Sequence, residues 1–338
     1  MSRVFVLLSG GVDSACAALL LKKEGFEVIG IHLRMTSLNN CAYEDFEDAK
    51  KVAEVLKIPF YVYDIEEDYK KLIMERTIND YRKGITPNPD VLCNSEIKFG
   101  LFFDKILGSK NDFIASGHYA KKEANLIKVP KDKEKDQTYF LWKINKEKLK
   151  RIIFPLGDLK KEEVRKIAAE NNLHVAFKKD SQGLCFVGKI KFSKFLKKYL
   201  EPKRGEVYNN YGELVGYHDG FYYYTLGQRH GFWAKNGPWY VVKKDPQKNI
   251  LIVAKDEDEI LYKNGISYEE ENLFKNLQDG EEIMVRIRYR QKLIPAVIYP
   301  SLKKIFFKEK VKFPTPGQSV VFYKEDFLLG GGIISQVF

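Results

Sequence analysis

Long apolar runs are missing from this 338-residue chain. Nothing in it approaches the roughly 20 consecutive apolar residues that a membrane helix requires. The opening MSRVFVLLSGG leads into a strand and a glycine turn without a cleavage site, so a cytoplasmic protein with no membrane partner is expected. Cysteine is scarce as well. Its four copies, Cys16, Cys41, Cys93 and Cys185, form no CxxC pair, and no His-rich spacing accompanies them, which argues against structural zinc. In a reducing cytosol such thiols are either buried or reactive.

What is present is the balance of a globular protein, with 44% hydrophobic and 30% charged residues, enough to build cores and too little bias for disorder. The length exceeds what one core usually organises, so two or three domains are expected. Lys and Arg number 57 against 46 Asp and Glu, and the net charge of +11 favours a polyanionic partner, although a solvated basic surface has the same composition.

The first third alternates RVFVLL, a helix from about Asp13, EVIGIHLRM, a helix through DFEDAKKVAEVL, and FYVYDI, which reads as βαβαβ. Phe46, Ala49, Val52, Ala53 and Leu56 share one face of the second helix, which should cover a parallel sheet, with DFIASGH a later strand. A doubly wound sheet of this kind holds its ligand at the carboxyl ends of the strands. After the helix KKEEVRKIAAENN the texture changes to a basic helical stretch and then short strands with Asn and Gly turns. The expected division is an α/β domain over 1–190, a small, mostly β central domain over 191–264, and a C-terminal β-barrel over 265–338. The charged segment KVPKDKEKDQ reads as a mobile surface loop.

SGGVDS, Ser9 to Ser14, lies between the first strand and the first helix. Gly10 and Gly11 permit a tight turn, backbone N–H groups at the helix start can hold a phosphate, and Ser9 and Ser14 can add hydroxyl donors. The GK[ST] ending of a Walker A loop and the spacing of GxGxxG are both absent. Asp13 is a candidate Mg²⁺-associated carboxylate, with a helix-start acid as the alternative. The motif resembles the PP-loop of the ATP pyrophosphatases, which cleave ATP between its α and β phosphates. A glycine turn with a serine cap is the plainer reading.

In TPNPDVLCNSEIKFG two prolines and an Asn precede Cys93, so the chain is expected to turn there and to begin a helix near Ser95. Asp90 beside Cys93 can take a proton while a nearby helix start favours thiolate, against the alternative of a small buried hydrophobe. KKDSQGLCFVG repeats the pattern around Cys185. Two such cysteines suit a relay in which one carries a persulfide and the other resolves it; structural thiols are the alternative. Cys16 lies on an apolar helix face and reads as core. In RIRYRQ, strand alternation would put Arg286, Arg288 and Arg290 on one face, toward RNA phosphate or solvent. KIKFSKFLKKYLEPKR is a second basic cluster that can engage phosphate.

SGGVDS, TPNPDVLCN, ASGHYA, KDQTYFLW, FPLGDLKKEEVR, KDSQGLCF, YYTLGQRHG and RYRQ, in this order from near residue 4 to near residue 325, resemble the tRNA-specific 2-thiouridylases, the MnmA/TrmU family. The resemblance implies ATP-dependent replacement of the 2-oxygen of the wobble uridine in tRNAs for Lys, Glu and Gln, with Mg²⁺ and a persulfide donor such as a cysteine desulfurase or a sulfur-relay protein. It makes Cys185 the persulfide carrier, Cys93 its partner and Asp90 the general acid/base. It assigns Ser9, Gly10, Gly11, Val12, Asp13, Ser14, the backbone of Met35, and Gly117 to ATP, and Asn88, Pro89 and Asp90 to the target base. His118, Lys135, Asp136, Gln137, Arg288, Tyr289 and Gln318 would face tRNA. Cys41 matches no catalytic position. Two other classes remain open at this point: a PP-loop ligase acting on a free metabolite, and a non-catalytic RNA-binding protein.

Overall fold

The computed structural model describes residues 2–36, 40–108, 111–180 and 192–338. Strand β1 (Arg3–Leu7), helix α1 (Val12–Lys23), β2 (Glu27–Arg34), α2 (Asn40–Leu56) and β3 (Phe60–Asp64) follow the expected alternation. With β4 (Phe113–Ala115) and the short strand Ile152–Ile153 they make a parallel sheet in which β1 lies between β2 and β4. Strand order reverses at the β1–β4 seam. The segments leaving the carboxyl ends of those two strands therefore diverge and leave a crevice, the usual ligand position in such sheets.

Period-two alternation gives this sheet two buried faces. Val4 and Val6 pack with α1, with Ala49, Val52, Ala53 and Leu56 of α2, and with Val164 and Ala168 of the helix Lys161–Glu170. Phe5 and Leu7 point the other way, into a cluster shared with Phe99, Phe102, Tyr139, Trp142, Val321 and Tyr323. The small side chains Cys16, Ala17 and Ala18, all fully buried, let α1 lie close against the strands.

Residues 205–254 hold a five-stranded sheet in which Gly205–Asn209 pairs with Leu214–His218 and Ile250–Ala254. Beyond it, Tyr262–Leu273, Glu281–Arg286, Ile294–Tyr299, Lys304–Lys312, Ser319–Lys324 and Phe327–Val337 form a ladder that closes because its first strand also pairs with its last. Closure leaves these strands no open edge inside the ring. The architecture is thus α/β, with a parallel-sheet unit, a mostly β middle and a closed barrel. No helix among the described residues is long and apolar enough to cross a membrane.

Two local expectations, on the charged segment and on the arginine row, are corrected. The charged segment 128–137 is pinned on all sides: Lys131 pairs with Glu163, Lys133 with Asp326, Lys135 with Asp180 and Asp136 with Arg286. Its alternating charges meet partners far away in sequence, which composition does not reveal. The hairpin Lys121–Glu123 and Leu126–Lys128, counted with the first domain, adds to the barrel through Leu126–Lys128 on Phe327–Leu328. The row of three arginines does not form, because its strand stops at Arg286 and Arg290 sits at φ +63° in a turn.

Candidate active site

The phosphate-type loop occupies the predicted crevice. Gly10 has φ +75°, and a Cβ there would stand 2.2 Å from Asp45 O, so only glycine lets the loop pass under α2. The Ser14 hydroxyl braces the turn, donating to Gly11 O at 3.1 Å and accepting from Ser9 N at 3.1 Å. Gly11 caps α1 without any side-chain bond, so its side chain satisfies none of the first-turn amides of α1. Gly117, just beyond β4, faces them: a Cβ on it would fall 2.6 Å from Ser14 N. Bare backbone on both sides of a helix N-terminus is a cradle that a nucleotide phosphate fits.

Asp13 is engaged inside the protein. Lys161 Nζ donates to both carboxylate oxygens, at 2.7 and 2.8 Å, and Tyr119 OH donates at 2.9 Å. A metal on this carboxylate would compete with an ammonium ion, and among the described residues no group of three or more His, Cys, Asp or Glu converges to hold one. The donor set therefore suits an ion that arrives on phosphate oxygens. Lys161 also meets Asp180 at 2.8 Å, which takes Lys135 and Arg165 as well. Partial burial acts to raise the Asp180 carboxyl, but the Lys135 and Lys161 ammoniums outweigh it and hold it at about 2. Lys178 ties Gly10 O at 3.1 Å to Asp45 and Asp48 of α2. Lys161, Lys178 and Asp180 were not singled out from the sequence, although KKEEVR and KKDSQ frame them.

Cys93 does not precede a helix; it lies within one. Asn88 caps it, its Oδ1 accepting from Val91 N at 3.4 Å, and Pro89 takes the first helical position, where its missing N–H costs nothing. The helix Pro89–Leu92 runs on through Cys93–Leu101, wound with wider i→i+5 bonds, into Phe102–Ile106. The prolines that argued for a turn are thus a helix start. Cys93 is buried among Leu92, Ile97, Ile73 and Phe195, with Met35 at the cluster's margin. Burial raises the Asp90 carboxyl while Lys98 opposes it. His118 is pushed well below the usual imidazole range by burial and then by Lys98, so it is neutral near pH 7. Its Nδ1 lies 2.8 Å from Ser116 Oγ and its ring packs on Phe99 and Phe154. Lys98 is aimed by Asn94, whose Oδ1 accepts from it at 3.0 Å while Nδ2 donates to Phe140 O. Cys185 lies outside the described residues.

One dipeptide joins the two halves. Gly117 backs the phosphate loop at Ser14, and the next residue, His118, packs against the helix that carries Cys93.

Comparison with known proteins covers nearly the whole chain. The tRNA methyl transferase HUP domain family matches residues 2–189, its PRC-barrel domain 193–255, and the aminomethyltransferase beta-barrel domain 263–334. The tRNA-specific 2-thiouridylase MnmA of Bacillus licheniformis is 42% identical over all of this chain and 96% of its own length. That of Bacillus subtilis is 41% identical with the same coverage, and that of Karelsulcia muelleri is 42% identical over 98% of each chain. The chain belongs to the tRNA-specific 2-thiouridylase family.

In this 2-thiouridylase-family chain the residues expected to face tRNA are mostly spent inside the protein. Lys135 binds Asp180. Asp136, 4% exposed, accepts from Thr138 and from Arg286 at 2.7 Å. Gln137 Oε1 accepts from Tyr119 N at 2.8 Å. Arg288 donates to Leu226 O, Phe313 O and Thr315 Oγ1 at 2.7–3.0 Å, and Tyr289 packs on Phe140. Gln318 Nε2 donates to Thr86 O and Pro87 O. Asp136, Arg288, Tyr289 and Gln318 cross the seams between parallel sheet, central sheet and barrel, while Lys135 and Gln137 are engaged within the first unit, an internal use that strand periodicity could not distinguish from exposure. Lys194, Lys197, Lys198, Lys203 and Arg204 are exposed, as a phosphate-binding surface requires.

Proposed function

We propose that this chain thiolates position 2 of the wobble uridine of tRNA, of the Lys, Glu and Gln type, at the expense of ATP. The observation that carries the proposal is the Gly117–His118 link, which makes a phosphate cradle contiguous with the helix bearing Asp90 and Cys93. ATP supplies the activation, its α-phosphorus taking the uridine 2-oxygen as pyrophosphate leaves. The amides of Gly11–Ser14 would hold the phosphates, with Gly117 keeping the approach clear and Met35 offering backbone to the adenine.

The protein's own part is to hold the base, move a proton and present sulfur. Asn88, Pro89 and Asp90 form the segment for the base. Burial raises the Asp90 carboxyl above its ordinary range, the direction that favours proton holding by a general acid/base. Neutral His118 can accept or donate one hydrogen bond without bringing charge to the site. Sulfur arrives as a persulfide on Cys185 from an external persulfide donor. Its outer sulfur becomes bonded to C2, AMP departs with the former 2-oxygen, and Cys93 takes the remaining Cys185 sulfur into a disulfide. Direct attack by the persulfide and prior release of hydrosulfide by Cys93 both use this pair.

The test is mass spectrometry of tRNA nucleosides after incubation with ATP, Mg²⁺ and a cysteine desulfurase. We expect 2-thiouridine together with AMP and pyrophosphate, and loss of the thionucleoside in Cys93→Ser and in Cys185→Ser. Wild-type rates in both variants would refute the relay. Pyrophosphate release triggered by a free metabolite and not by tRNA would replace the reading with a small-molecule ligase. Two of the matching families carry methyl transfer in their descriptions, and consumption of a methyl donor in place of ATP would favour that chemistry.

A further inference from the structure

Thr86 opens the segment that runs through Asn88 to Asp90, and its polar atoms are met by residues far away in the chain. It is 5% exposed. Its N–H donates to Pro316 O at 3.4 Å, its carbonyl accepts from Gln318 Nε2 at 2.9 Å, and its hydroxyl lies 3.5 Å from Lys244 Nζ. The other Nε2 hydrogen of Gln318 goes to Pro87 O at 3.1 Å. Gly317, at φ +90°, lets the barrel backbone lie flat here: a Cβ on it would stand 2.3 Å from Ile85 Cγ2 and 2.8 Å from Thr86 O. Lys244 comes from the central sheet, on the strand Tyr240–Asp245, and its second bond is to Tyr224 O at 3.0 Å. Among the described residues no carboxylate pairs with it, and burial lowers its ammonium to about 8.

Two carbonyls facing one carboxamide fix its orientation and its identity. Both hydrogens of Gln318 Nε2 are engaged within the protein, so RNA could meet only Oε1. A partly buried ammonium held by a hydroxyl and a carbonyl, with no acid beside it among the described residues, carries an uncompensated desolvation cost. Downstream, Asn88 caps the helix that bears Asp90 and Cys93, so a shift of Thr86 and Pro87 passes directly to the helix start.

We propose that Gln318 and Lys244 are positioning residues that act through Thr86 and Pro87 to set where Asn88 and Asp90 stand. The barrel and central sheet thereby help fix the geometry of the base-binding segment, beside the bonds that the first unit itself supplies, such as Ile85 N to Asp80 O. The proposal rests on the thiolation reading above.

The test compares the full-length wild type with Gln318→Met, Lys244→Met, Lys244→Arg and Thr86→Val at saturating tRNA. Misplacement of a reacting group by about 1 Å costs on the order of 10²-fold, so we expect kcat to fall roughly 10- to 100-fold in the Met variants while the tRNA Kd stays within about twofold. Lys244→Arg should recover most of the rate, and Thr86→Val should add little to Lys244→Met because both remove one contact. Gln318→Glu keeps the length but turns an acceptor toward two carbonyls, and should lose kcat in the same way. Melting curves separate this loss from unfolding. Unchanged kcat with a raised Kd would make Gln318 an RNA contact and overturn the proposal. A wild type that makes no 2-thiouridine would sink the thiolation reading and this inference together; an active wild type beside fully active variants would sink the inference alone.

Discussion

Asp136 shows what a single side chain can hold. It is enclosed, accepts twice from Thr138, and neutralises Arg286 at 2.7 Å across 150 positions of sequence. Removing one partner of a buried pair leaves the other uncompensated, at roughly 3–5 kcal/mol. Asp136→Ala is accordingly expected to lower the unfolding free energy by that order, read as a lowered denaturant midpoint, and a normal midpoint with weakened tRNA binding would restore Asp136 to the RNA surface. Asp180 adds a pH dependence. Its folded value of about 2 lies below its ordinary 3.8, so its contribution is present above about 4 and is lost as pH falls toward 2. Chemical denaturation of wild type and Asp180→Asn should give stability curves that converge over that window. Curves that stay parallel there would mean that the ion pairs of Asp180 contribute nothing.

Among the elements, the loop between β1 and α1 is the most constrained. Gly10→Ala brings a methyl onto the α2 backbone and forces an unfavourable φ, while Gly117→Ala places one over the α1 amides. Both should abolish tRNA-dependent pyrophosphate release and lower the melting temperature, because each methyl meets backbone closer than 3 Å; a folded variant that keeps its release would place the phosphates elsewhere. These elements were also the legible ones. Glycines between a strand and a helix, and the apolar stripe Ala49, Val52, Ala53 and Leu56, leave local traces because the geometry they serve is local. The helix start at Asn88–Pro89 leaves one too, but prolines around an Asn have two readings, and the turn reading was the wrong one. What could not be read were the side chains paired across long stretches of sequence. Lys135, Asp136, Gln137, Arg288 and Gln318 carry the residue types of an RNA surface, and only three-dimensional pairing shows that each is already engaged.

At the scale of the whole molecule, the barrel and the parallel sheet share a core. Trp142 is fully buried and donates to Ser319 Oγ at 2.9 Å, and Tyr139 donates to Ser319 O. Deleting residues 263–338 would uncover both aromatics, each large side chain worth roughly 1.5–3 kcal/mol of burial. The remaining fragment should lose near-ultraviolet circular dichroism and bind hydrophobic dyes, whereas a fragment with native spectra would show that the first unit stands alone.

The ring of strands is sealed by its own final member, Phe327–Val337, which also receives the hairpin from residues 121–128. During synthesis on the ribosome, Trp142 must wait for Ser319, 177 positions later on the neighbouring strand, and for Gly331 of the final strand, and the tryptophan face stays wet until both emerge. Nascent chains stalled short of that point should be the species that chaperones hold and proteases cut.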